Sequence, residues 1–199
     1  MGFFPSPPRG IRVSVDDALA AQKLANSLWQ SIQYQCSAAA KQKLIALCIG
    51  TDRSTGDALG PLTGSFLQQA NYSQLEVMGT LAHPVHATNL KQVLSTLEAH
   101  SSDRCVIAVD ACLGRLESVG KIAFAPGALR PGTGVNKTLP QVGNFNIVGI
   151  VNVSGFMEHL VLQNTRLHLV YRMAAIIADA IAIVGHRLEV EKSAAGSES

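Results

Sequence analysis

Charge is what this sequence has least of. Asp and Glu number 14 and Lys and Arg 16 in 199 residues, 15% of the chain, where an average soluble protein has about 25%. The net charge is only +2, which excludes the basic surplus that nucleic-acid binding draws on, so no nucleic-acid partner is expected. Low charge does not mean disorder here, because 47% of residues are hydrophobic. A chain of this length makes one domain and buries roughly 70% of its unfolded surface, so it needs no covalent staples. Cysteine is scarce too. Cys36, Cys48, Cys105 and Cys112 include no C-x-x-C pair, which excludes zinc-knuckle and thioredoxin-like sites. Cys48 and Cys105 lie in apolar runs and read as buried thiols in a reducing cytosol. The first ten residues, MGFFPSPPRG, lack the basic and apolar regions of a signal peptide. The most apolar stretch, Leu167–Val184, carries Arg172 and Asp179 and reads as a buried helix, not a membrane span. A cytoplasmic protein without a membrane partner is the expectation.

The chain divides into a proline-rich loose arm (1–10), a single α/β domain (11–188) and a polar, frayed tail (189–199). Ser14, followed by Asp16 and Asp17, looks like an N-cap, and apolar spacing predicts a helix from Val15 to about Gln33. Residues 35–42 form a connection. Leu44–Ile49 is a solid apolar run ending at Gly50, the pattern of a strand buried on both faces. A helix follows over 59–71, a strand over 75–78, a helix over 89–99 and a buried strand over 105–109. Lys121–Ala125 alternates like an edge strand, 126–144 is a long Gly- and Pro-containing loop, and 147–153 is another strand. The remainder is helical to about Leu188, broken near Asn164–Thr165. Strands alternating with helices indicate a mostly parallel sheet with helices on both faces, a three-layer α/β/α sandwich. Apolar faces on 15–33 and on the last helix leave room for a homo-oligomer.

In open α/β sheets, sites form beyond the carboxyl ends of strands where strand order reverses. Two acids occupy such places: Asp57, in the loop after the first central strand, and Asp110, at the end of the third. If the order begins 2-1-3, both project from one edge. Two carboxylates that close cannot both ionise cheaply, so one keeps a proton near neutral pH. Such a pair could activate a water and protonate a leaving amine, or hold a divalent metal with a third ligand. The bland alternatives are a helix cap at Asp57 and a turn cap at Asp110, although Pro61 favours Gly60 as the cap. The loop GTDRSTGDALGP at 50–61 has no lysine and no G-x-G-x-x-G spacing, which excludes a phosphate loop. His83 and His86 share a loop without the glutamate of a zincin, and Cys112 has no histidine partner in sequence. Glycines in Arg130–Lys137 permit close approach by a peptide.

GTDRSTGDALGP at 50–61, VDACLG at 109–114 and PGTGVNK at 131–137 together resemble the YyaC-type spore-protease-like proteins of endospore-forming bacteria. These are similar in turn to the germination protease and, more distantly, to hydrogenase-maturation endopeptidases. The resemblance covers about residues 43–182 and implies a phosphorylase/hydrolase-like fold. It also implies an aspartic catalytic pair at Asp57 and Asp110, with no cofactor. A protein or peptide substrate follows, small acid-soluble spore proteins being the natural class. Substrate contacts are expected at Thr51, Asp52, His83, His86, Gly134, Asn136 and Lys137. The hydrogenase-maturation relatives add a histidine ligand, but here none follows Lys137 until His159, so no metal is expected. The other functional classes are a metal-dependent endopeptidase of hydrogenase-maturation type and a non-catalytic peptide-binding module.

Overall fold

A computed structural model describes residues 9–35, 43–69, 72–98, 104–131 and 139–196. Its elements are β1 (Ile11–Ser14), α1 (Ala20–Gln35), β2 (Lys43–Cys48), α2 (Leu59–Gln68), β3 (Leu75–Met78) and α3 (Leu90–Glu98), followed by β4 (Arg104–Gly114), β5 (Lys121–Pro126), β6 (Phe145–Val153), α4 (Glu158–Gln163) and α5 (Leu167–Gly196). The strands form one six-stranded sheet in the order β1-β5-β6-β4-β2-β3. β3, β2, β4 and β6 pair in parallel, and β5 runs antiparallel to both neighbours.

The solid apolar runs work because successive side chains alternate between two cores. Leu44, Ala46 and Cys48 of β2 join a core with Leu24 and Leu28 of α1, Leu59 of α2, and Met173 and Ile177 of α5. Ile45, Leu47 and Ile49 point the other way, to Leu90 and Leu97 of α3 and to Val85, Leu129 and Val142. The result is the expected three-layer α/β/α sandwich, and β3, β2 and β4 realise the 2-1-3 order. Helix α5 is long and apolar enough to span a membrane by length and composition. In the fold its Val170, Met173, Ala174, Ile177 and Ile181 are buried in the core.

Several boundaries differ from the sequence expectations for definite reasons. Ile11–Ser14 is an edge strand, so Lys121–Ala125 lies inside the sheet, between β1 and β6. The first helix then starts at Ala20, not Val15. The Ser14 hydroxyl accepts from the Asp16 amide, and the Asp17 carboxylate accepts from the Leu19 amide at 2.9 Å, closing the turn before the helix. Strand β4 continues four residues past Asp110, because β6 goes on pairing with it after β2 has stopped. Helix α5 continues beyond Leu188 to Gly196. Glu189 accepts from the Ser73 amide at 2.6 Å, and Glu191 accepts from the Gln33 side-chain amide at 3.3 Å. The expectations for residues 1–8, 36–42 and 132–138 lie outside the described residues.

Candidate active site

The chain leaves β2 through α2 on one face of the sheet and arrives at β4 through α3 on the other. Strand order reverses there, which opens a crevice at the carboxyl end of β2 beside β4. The pairing of β2 with β4 closes with the Ile49 amide donating to the Val109 carbonyl at 2.7 Å. Directly beyond that bond stands Asp110, 8% exposed, with the Ala111 amide donating to its carboxylate at 2.8 Å.

Asp57 reaches the same place by a tight return of the chain. Gly50 has φ +143°, and a Cβ there would sit 2.0 Å from the Asp57 carbonyl oxygen. The Thr51 amide donates to that carbonyl at 3.2 Å. Gly60 seats the start of α2 on the strand end, since a Cβ at that position would be 2.0 Å from the Ile49 carbonyl oxygen. Asp57 lies in a single 3₁₀ turn, Gly56–Ala58, between those contacts. Neither that turn nor α2 carries a side-chain cap. The capping reading of Asp57 is therefore set aside, and Gly60 is not the cap either: Ala58 is, and Pro61 lies within the first helical turn.

The electrostatics couple the two acids. Burial holds the Asp110 carboxyl protonated well above its ordinary range, and the nearby charge of Asp57 pushes it further, against the Ala111 amide. Burial also raises Asp57, but less, because the Thr51 amide and the charge of His86 favour its ionised form. His86 is placed by the bridge between Ile49 and Val85. Its amide donates to the Asn89 side chain at 2.8 Å, and its Nδ1 meets the Thr88 hydroxyl at 2.9 Å.

These groups open on a cleft of about 380 Å³. Its walls include Ile49, Ser54, Asp57, His86, Asp110 and Cys112, with Pro131 and Leu139 from the long loop and Glu158, His159 and Leu162 from α4. No lysine or arginine lines it among the described residues. Of the residues expected to contact substrate, His86 lines the cleft. Thr51 acts from behind it by holding Asp57. Asp52 and His83 are exposed and stand outside its walls, with the His83 amide bound to the Thr80 hydroxyl at 3.1 Å. Gly134, Asn136 and Lys137 lie outside the described residues.

The sequence reading missed Ser54, Glu158 and the placement of His159. The Ser54 hydroxyl is buried without a hydrogen-bond partner. Its signal was its position in the same loop as Asp57. Glu158 and His159 had no such signal, since only the packing of α4 against the 3₁₀ turn brings them in. Asp57 and Asp110 could supply two oxygens to a divalent metal, as the hydrogenase-maturation resemblance implies. Among the described residues, however, no three His, Cys, Asp or Glu side chains are grouped as a metal ion requires. The described residues are therefore not grouped to hold a metal, and no step is derived through one.

Comparison with known proteins agrees with this architecture. The sequence is 48% identical over 183 residues to the uncharacterized protein YyaC of Bacillus subtilis (strain 168), covering 92% of this chain and 87% of that protein. The crystal structure of the [NiFe] hydrogenase maturation protease HycI from Thermococcus kodakarensis KOD1 is similar in fold at a TM-score of 0.50 and 16% identity, covering 73% of this chain and 94% of that one. The scaffold is thus one that a protease uses. Residues 12–180 match the family described as "Protein of unknown function (DUF1256)", and the chain belongs to that family.

Proposed function

We propose that this protein is an endopeptidase in which Asp57 and Asp110 act as an aspartate pair. The observation that carries the reading is the meeting of the two carboxyls at one cleft, where each is pushed toward protonation and Asp110 feels the charge of Asp57. Two such carboxyls share one proton over a range near neutral pH. Asp110, the more buried, keeps it. Asp57, favoured as the anion by Thr51 and His86, is the general base. Asp57 deprotonates the attacking water, while the Asp110 acid donates a hydrogen bond to the scissile carbonyl and then protonates the departing amine. The Ser54 hydroxyl, buried at the wall without a partner, is a donor for the substrate backbone.

Small acid-soluble spore proteins are the proposed substrate class and the cytoplasm of a sporulating cell the proposed location, both on the strength of the family resemblance. Digestion of such a protein by wild type, Asp57→Asn and Asp110→Asn, followed by electrophoresis across pH 4–8, tests the reading. Each substitution is expected to lower the cleavage rate by about 10²–10⁴-fold, the usual contribution of a positioned acid or base. An Asn variant that cleaves like wild type overturns it.

A further inference from the structure

The second face of the sheet is covered only in part. Over β2 and β4 it packs against α3 and the segment around Leu129 and Val142. Val148 of β6 packs at the edge of that core, and no residue of β5 or β1 belongs to it. The evidence is in β5, an interior strand. Its Ile122 and Phe124 point to the first core and are buried, whereas Ala123 and Ala125 point the other way and remain partly open.

Strand register ties this open half-face to the cleft. Arg12 pairs with Ala123, Ala123 with Val148, and Val148 with Asp110. Paired residues share a face, so Arg12 and Asp110 end one row across the sheet, three strand spacings or about 14 Å apart. Lys121, opposite Ser14, is on the same face one row along. Arg12 also lies close enough to the cleft for its charge to act on Cys112. Lys23, Arg104 and Arg172 each pair with a carboxylate, but among the described residues Arg12 and Lys121 do not. The row therefore runs from Asp110 at the cleft, through Val148 and Ala123, to the unpaired Arg12 at its outer end, with the unpaired Lys121 one row along.

We propose that the open half-face is the docking track for an extended acidic segment of the polypeptide substrate, which places a carboxylate on Arg12 and Lys121. An extended chain covers about 14 Å in roughly four residues, so the acidic residue sits three to five residues from the bond held at Asp110. The polarity of the row sets the register. A carboxylate is repelled by the Asp57 anion at the cleft and attracted at Arg12, whereas a basic segment would meet its own charge there.

The proposal rests on the endopeptidase reading for its substrate, so the test measures binding and not turnover. The full chain carrying Asp57→Asn is titrated into three fluorescein-labelled dodecapeptides of alanine and serine, identical except for Glu, Gln or Lys pairs spaced about four residues from the centre. Fluorescence anisotropy reports the affinity. The Glu peptide is expected to bind at least about 10-fold tighter than the others, with an advantage that shrinks as salt rises. R12E/K121E is expected to reverse the preference toward the Lys peptide. The single variants R12Q and K121Q each weaken Glu-peptide binding and carry the test if the double variant does not fold. Equal affinity for the three peptides, no binding of the Glu peptide, or unchanged binding in R12Q and K121Q overturns the proposal. Acid-selective binding alongside undiminished cleavage by the Asn variants would instead fail the aspartate pair and leave the docking track standing.

Discussion

Asp110 occupies a position that a stability-driven sequence would give to an apolar or neutral side chain. It is buried between β2 and β6, its charge is opposed by burial and by Asp57, and a single amide compensates it. Because its folded-state pKa is raised, the native state binds more protons than the unfolded chain between the ordinary aspartate range and the raised value. Stability therefore falls as pH rises through that window and stays lower above it. Asp110→Asn keeps an oxygen for the Ala111 amide and removes the charge. It is expected to raise the melting temperature at pH 8, with the gain vanishing near pH 3; thermal denaturation across that range checks it. A gain equal at both ends would mean that ionisation is not the cause. Cys112, two residues on, is held as a thiol, its pKa pushed up to about 11 by burial and by Asp110. At pH 7 only about one in 10⁴ such thiols is ionised, the reverse of an activated nucleophile. The proposed chemistry at this edge therefore rests on the carboxyls and not on this thiol.

At the scale of elements, the site depends on how closely α2 approaches the end of β2. Gly60 has no room for a side chain, because its Cβ would overlap the Ile49 backbone oxygen. Gly60→Ala must push the helix off the strand and is expected to cost about 3 kcal/mol or more; chemical denaturation measures it. Ordinary stability in that variant would mean that the start of α2 is free to shift. The elements that hold the site were legible in the sequence where the physics is local. The runs at 44–49 and 105–109 are apolar on both faces because each strand sits between two helical layers, and the acids beside them stood out against that background. What was not legible depends on distant partners. Strand β1 has four residues of weak alternation and exists because β5 pairs with it. The extension of β4 past Asp110 is set by β6, and Glu158 and His159 enter the cleft only because α4 lies over the 3₁₀ turn.

At the scale of the whole molecule, the sheet is unevenly clothed. Among the described residues, one face is covered along its length by α1, α2 and α5, and the other by α3 and the segment around Leu129 and Val142 over only part of its width. The catalytic proposal and the docking proposal occupy the two ends of one register row on that second face, which is how a nearly neutral chain can still discriminate by charge. The central claim is the shared proton, and it needs no substrate to be tested. Carboxyl titration of Asp110 by NMR of ¹³C-labelled aspartate, in wild type and in Asp57→Asn, observes it directly. The account predicts a wild-type midpoint well above the ordinary 3.8 and a lower midpoint when Asp57 is neutral. An Asp110 that titrates near 3.8, or whose midpoint is indifferent to Asp57, would contradict it.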